Sequence, residues 1–459
     1  MGWLVHRPER ATLHFTIDVG ALKPTVTALV RWGQGHSYSS FRHALLEAKD
    51  DGLGLTYTTP LGTAYLSCDA VVAAEGSIGV DLEVFSKFLA PYKGKGWQLQ
   101  LCFEPDPKTE DRHVFTGQFF EDGCKRNRLE WPLSDGATGL FCSPEWVPDP
   151  VLASGVIQEF QVPRPRLVSL LSSGTAAHSS VEQGTSTLHS AVITVAADVV
   201  SVFSANASWG IRSELWADVD LGFDTGWTEE PRTVAVSAAS LTHAQAIVGA
   251  FGGVEPWIVE LPEAGPIRLC PKAAREDAWV TVNQADDPIA LPEMLDELRA
   301  AKPSASTEKV TGSLALNRRT FGGLRALLAD LSILEAYARD GDTNWTLAFG
   351  ESGLVIEVPS TLHVGGAVVV PWVAAPKAEL VRIVNGSRLV ALLKALTTNS
   401  EPDGTVDISF WSDGELERFY LKTHSPKGEA ADGVLAPMSG EPRRVESAIE
   451  IKQTVGAIK

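Results

Sequence analysis

Cysteine is scarce and unpatterned in this chain. Its 459 residues include five, Cys68, Cys102, Cys124, Cys142 and Cys270, an odd number with no C-x-x-C spacing. That excludes a disulfide framework and a zinc site, and it predicts free thiols in a reducing compartment. Long hydrophobic runs are lacking too. The run Ala367 to Ala375 is interrupted by Pro371 and falls far short of the roughly 20 apolar residues that span a bilayer. Near the N-terminus Trp3 to Val5 is followed at once by HRPER, which leaves no room for a secretory core segment, so a cytoplasmic protein without membrane contact is expected.

Catalytic signatures are missing as well. The sequence has no HExxH, no G-x-S-x-G and no cluster of His and Cys, and GKGWQ lacks the spacing of a phosphate loop. In DGDTNWTLAFGE, Asp340, Asp342, Asn344 and Glu351 are spaced as in an EF-hand loop. Trp345 stands where that loop needs glycine, however, and TLAF is strand-like, so the segment reads as a hairpin turn. We therefore expect no enzyme, no metal and no cofactor. Positive charge is short overall: 39 Lys and Arg face 57 Asp and Glu, for a net charge of −18 and a pI near 5.0. Wholesale coating of nucleic acid is excluded, because phosphate contacts need cations. A local basic surface is not.

Hydrophobic residues make up 44% and charged residues 21%, values of a globular chain long enough for two to four domains. Against the acidic background, Asn385 to Asn399 contains no acid at all. The segment VRIVNGSRLVALLKAL, which begins at Val381 and runs into it, has a strand pattern, a helix cap and then a helix whose Leu389, Leu392, Leu393 and Leu396 form one apolar stripe. Arg388, Ala391, Lys394 and Ala395 lie off that stripe.

The same strand, cap and helix order recurs five times more. The copies are LHFTID with ALKPTVTALVRW, IGVD with LEVFSKFLAPY, EFQV with PRPRLVSLLSSG, VAVS with AASLTHAQAIVGAF, and SLALN with RRTFGGLRALLADL. Asp18, Asp81, Ser237, Asn317 and Asn385 are suited to cap the first turns. Short alternating segments with turn signals such as Asp-Asp-Gly and Ser-Asp-Gly follow the helices, so each half-unit reads as one helix on antiparallel strands, an α+β layer. The six half-units group in pairs, with boundaries near residues 150 and 300. This predicts domains at 1–150, 151–300 and 301–440, then an extension at 441–459.

Charge is segregated by element. The six helical windows carry twelve Lys and Arg against five acids, three of which sit at helix starts, where the helix dipole favours them. Exposed helix faces are often charged. Their convergence on a polyanion, with acidic strands facing solvent, is the sharper reading.

In order and spacing these segments resemble the bacterial-type DNA polymerase sliding clamp, the polymerase III beta subunit. FTIDVGALKPTVTALV, ALLEAKDDGLGLTYTT and GSIGVDLEVFSKFL are similar to its first domain, and VNGSRLVALLKAL with VLAPM to its last. The resemblance implies a DNA-clamp fold of three similar domains, closed head to tail into a homodimeric ring around double-stranded DNA, whose partners are a polymerase and a clamp loader bound through short peptides. It implies a channel lining of Lys23, Arg31, Lys87, Lys93, Arg164, Arg166, Arg318, Arg319, Arg325, Arg388 and Lys394. It also implies a peptide pocket at Ala205, Trp209, Ser237, Leu435, Pro437 and Met438. Nearly every polar member of the family's pocket turn is replaced across Ser204 to Trp209. An adaptor or decoy that keeps the fold without the replication role is the alternative, and a nucleic-acid enzyme lacks the acidic metal cluster it would need.

Overall fold

The computed structural model describes residues 13–438 except 34–41, 51, 106–112, 133–138, 152, 156–157, 178–189, 206–208, 217–230, 252–254, 286–307, 317–327, 330, 334, 336–343, 359–365, 399–402, 413–416 and 426–427. Its elements follow the repeat. The first half-unit holds β1 (Leu13–Asp18), α1 (Val19–Gly33), β2 (His43–Lys49), β3 (Gly52–Thr59), β4 (Gly62–Asp69) and β5 (Val71–Ala74). The second holds β6 (Gly76–Asp81), α2 (Leu82–Leu89), β7 (Trp97–Pro105), β8 (His113–Glu121), β9 (Cys124–Pro132) and β10 (Phe141–Cys142). The third and fourth are β11 (Gln158–Pro163), α3 (Arg164–Ala176), β12 (Ser190–Val195), β13 (Val199–Ala205), β14 (Trp209–Trp216), then β15 (Arg232–Ser237), α4 (Ala238–Ala250), β16 (Pro256–Leu261), β17 (Ile267–Pro271) and β18 (Ala278–Val282). The fifth contains β19 (Glu308–Ala315), β20 (Asn344–Phe349), β21 (Gly353–Val358) and β22 (Gly366–Ala374), with helical residues at 328–329, 331–333 and 335. The sixth comprises β23 (Leu380–Asn385), α5 (Gly386–Thr398), β24 (Thr405–Ser412), β25 (Glu417–Ser425) and β26 (Gly428–Leu435).

The strands pair by one rule throughout. The first strand of each half-unit joins the sheet of its sister: β1 pairs with β7, β6 with β2, β11 with β16, β15 with β12, β19 with β24 and β23 with β20. In five of the six half-units, among the described residues, the chain also returns to the edge of its own first strand. Thus β5 lies on β1, β10 on β6 and the end of β22 on β19, while Ala285 N–H donates to Ala235 O in β15 and Met438 N–H to Ile383 O in β23. Each return covers backbone groups that an open edge would leave unpaired. Alternation supplies the two faces, as in β1, where Leu13, Phe15 and Ile17 are buried and the residues between them are not. The turns follow the same local chemistry: Asp122 and Gly123 both have positive φ, 48° and 78°, between β8 and β9, as a two-residue hairpin turn requires.

The chain forms two compact units. The first contains Met1–Arg164 and Ala239–Gln284, the second Pro165–Ala238 and Ala285–Lys459. Unit 1 has a five-stranded sheet, β5-β1-β7-β8-β9, and a nine-stranded one, β10-β6-β2-β3-β4-β18-β17-β16-β11. Its core joins Trp32 of α1 and Phe85 of α2 to Phe103, Phe115 and Phe119. Unit 2 has a twelve-stranded sheet, β15-β12-β13-β14-β26-β25-β24-β19-β22-β21-β20-β23. Two strand pairs therefore join successive repeats, β4 with β18 in unit 1 and β14 with β26 in unit 2.

The leucine stripe of α5 is buried as expected, with Leu389, Leu392, Leu393 and Leu396 at most 2% exposed. Ala395, expected off the stripe, is buried as well, because Leu328 and Leu331 of the neighbouring helical residues share its core.

Candidate nucleic-acid interface

In unit 1 the caps hold the helix starts as the sequence predicts. Asp18 Oδ1 accepts the Gly20 N–H at 2.6 Å and Asp81 Oδ1 the Val84 N–H at 3.0 Å. Arg31, Lys87 and Lys93 are exposed. Lys23 is engaged differently: its Nζ donates to Ala90 O at 3.1 Å and to Tyr92 O at 3.4 Å. A cation there satisfies orphan carbonyls at the negative end of α2. Arg164 is half-buried, with Nη1 3.5 Å from Val248 O. Helix α4 has no Lys or Arg; Ser240 Oγ donates to Leu61 O at 2.5 Å and His243 Nδ1 contacts Trp32 O.

In unit 2, Arg166 is half-buried on α3. That helix lies close to its sheet through small hydroxyls, with Ser173 and Ser213 Oγ atoms 2.6 Å apart and Ser204 Oγ donating to Ser173 O at 2.7 Å. On α5, Asn385 Oδ1 caps the Arg388 N–H at 3.1 Å. Lys394 has a half-exposed side chain with Nζ 3.7 Å from Glu335, and Arg388 is half-buried. Arg318, Arg319 and Arg325 lie outside the described residues. Several of these cations are thus engaged by the protein itself, Lys23 and Arg164 by backbone carbonyls and Lys394 by Glu335.

The predicted pocket residues fall in unit 2. Ala205, Trp209 and Leu435 are adjacent in β13, β14 and β26, with Trp209 directly opposite Leu435. Trp209 is 2% exposed and Leu435 fully buried, so both are core. Ser237 ends β15, two strands from β13, or roughly 10 Å at the usual strand spacing. Pro437 and Met438 are half-buried beside β23, and with half-buried Ser237 they form the accessible part of the set.

Sequence reading missed a charged latch in the β14–β26 pair. Arg212 Nε and Nη2 reach the Asp432 carboxylate at 2.9 and 2.8 Å, and Tyr420 Oη donates to Asp432 Oδ2 at 2.8 Å. Burial alone would lower the Arg212 pKa, but Asp432 and Glu214 outweigh it and hold the guanidinium charged. Alternation marks both residues as facing the same side of their strands; nothing in the sequence pairs positions 220 residues apart. Among the described residues no group of three or more His, Cys, Asp or Glu could hold a metal, and no helix is long and apolar enough to cross a membrane.

Six helix-on-strand half-units, exchanged in pairs and joined edge to edge, define the sliding-clamp fold. Solved structures similar to it include bacterial clamps. The beta sliding clamp of Caulobacter crescentus superposes with a TM-score of 0.68 at 14% identity, covering 93% of this chain and 99% of that one. The DNA polymerase sliding clamp of Bacillus subtilis gives 0.67 at 12%, covering 94% and 100%. The DNA polymerase III beta subunit of Thermotoga maritima gives 0.65 at 13%, covering 94% and 100%. No protein-family model matches the sequence, and no curated protein does.

Proposed function

We propose that this chain is a DNA sliding clamp, a non-catalytic ring that encircles duplex DNA and tethers a polymerase or another DNA-processing partner. The observation that carries the reading is the pairing pattern. Of three junctions a three-domain clamp needs, the chain makes two within itself, β4 with β18 and β14 with β26. The strands at the corresponding places, β9 and most of β22, have an open side among the described residues. A second copy offers each its complement, so two copies close head to tail and use up the edges. The domains on this reading are 1–150, 151–300 and 301–440. Arg31, Lys87, Lys93, Arg388 and Lys394 line the channel, and their modest number favours sliding, since each phosphate contact adds a salt-sensitive slope of about 0.9.

The test pairs sedimentation with primer extension on a primed circular template with a cognate polymerase and loader. A dimer that lengthens products supports the reading; a monomer at micromolar concentration sinks it. Burial of Trp209 and Leu435 favours one second reading, an adaptor whose partners do not use the usual groove. That reading requires a ring that leaves product length unchanged.

A further inference from the structure

In each pair of half-units the chain comes back to the same place. Gly79, Ala235 and Ile383 stand two residues before the caps Asp81, Ser237 and Asn385, and the returning chain meets them with Cys142, Ala285 and Met438. We propose that residues 439–459, which lie outside the described residues, run on from Met438 across the face of β23, β20 and β21 turned away from α5, and that Arg443 and Arg444 supply the cation for Glu357. The docking is within one chain and does not depend on the clamp reading.

The first two returns show what such a segment does. After Cys142 the chain makes one turn at Pro144–Trp146 and buries Val147, and a Cβ placed on Gly79 would lie 2.8 Å from Val147 Cγ2. At the second return Ala285 packs on a cluster of Ala235, Val192 and Phe203, of which Val192 stands opposite both others, across β15 and β13. In both places the returning chain covers the residue two before the cap.

The third return begins at a face of unusual composition. Leu347, Leu354, Ile356, Val358 and Val384 share the core with the leucines of α5, so the alternate residues face the other way. The equivalents of Ala235, Val192 and Phe203 there are Ile383, Thr346 and Glu357. Beside them runs an apolar row of Val381, Ala348, Val355 and Val369, opposite one another on four strands, and on the same face Val373 is 52% exposed. Glu357 is the one charged residue on this face of β20 to β23 among the described residues. Its Oε2 is buried and accepts no hydrogen bond. A carboxylate withdrawn from water in this way calls for a cation.

The extension brings one within reach. Its sequence SGEPRRVESAIEIKQTVGAIK places Arg443 five residues past Met438. Glu357 lies three strand spacings from Met438, roughly 14 Å, and five extended residues span about 17 Å. Val445, Ile449, Ile451, Val455 and Ile458 follow, apolar side chains that suit the valine row. A segment tethered at the edge of the face also has a high effective concentration there, which favours it over a separate partner.

The test puts a reporter under the crossing, Thr346→Cys, at a position 8% exposed. Iodoacetamide labelling is followed site by site by mass spectrometry, with exposed Cys124 as internal control and circular dichroism as the check on folding. The reporter should label roughly tenfold more slowly in the full chain than in a chain ending at Gly440, while Cys124 labels alike in both. Arg443→Glu with Arg444→Glu should raise the full-chain rate, and adding Glu357→Arg should lower it again. Equal reporter rates in the two chains overturn the docking. Protection that survives the arginine reversal overturns the pairing with Glu357. Protection lost on dilution shows a second copy's extension on the face and overturns docking within one chain. Should the shortened chain not fold, the reversal and its rescue decide alone, and an unchanged rate there overturns the proposal. None of these rates requires DNA or a closed ring, so their failure leaves the clamp reading standing.

Discussion

Reversing charge on α5 and removing it from α1 should have opposite signatures. Arg388 and Lys394 are both outside the leucine stripe that anchors α5, so Arg388→Glu with Lys394→Glu leaves the core intact. Lys394 sits 3.7 Å from Glu335 with half its side chain exposed, a loose ion pair worth about 0–1 kcal/mol; its loss barely touches stability. If each side chain meets one phosphate, the pair removes about 1.8 from the slope of log K against log salt for each copy engaged. Lys23 is the contrast. Its ammonium is bonded to Ala90 O and Tyr92 O, so Lys23→Met should cost about 1 kcal/mol at the end of α2 and leave most of the salt slope in place. Fluorescence anisotropy of a labelled duplex across a salt series, with urea unfolding of the same proteins, separates the two. An unchanged slope in the α5 variant would refute the placement of that helix on the DNA. A lowered slope with unchanged stability in Lys23→Met would refute the capping role.

Two further outcomes follow from buried chemistry. Arg212 and Asp432 side chains are 21% and 15% exposed, so removing one partner by Arg212→Ala or Asp432→Ala should cost about 2–3 kcal/mol, and the double substitution less than the sum of the singles; urea midpoints read the coupling, and additivity would discount the latch. Burial and then the nearby Glu260 push the Cys270 thiol up to about 12. Unfolding frees it to its ordinary value near 9, so above pH 9 the unfolded chain holds fewer protons than the native one. Stability should therefore fall by about 1.4 kcal/mol per pH unit from this group between pH 9 and 12. Alkaline unfolding of Cys270→Ala should lose that component; an identical profile would contradict the shift.

The half-unit was legible because it is local. An N-cap oxygen reaches a backbone N–H three residues away, as Asp81 reaches Val84 and Asn385 reaches Arg388, and the α5 stripe follows from helical spacing. Repetition of that local grammar six times carried the α+β fold and its order. Pairing was another matter. Nothing local tells β1 to join β7 instead of β2, or tells Met438 to return to Ile383, since such contacts are decided by which edges are left when the sheets assemble.

The candidate sites divide the same way. Composition determined that helix windows are basic on an acidic chain, because charge is a property of residues. Only tertiary structure decided that Lys23 caps a helix, that Trp209 and Leu435 are sealed in a core, and that Arg212 finds Asp432. A side chain's role depends on what burial and neighbours leave for it to do, and those are fixed by strands distant in sequence that meet when the sheets close.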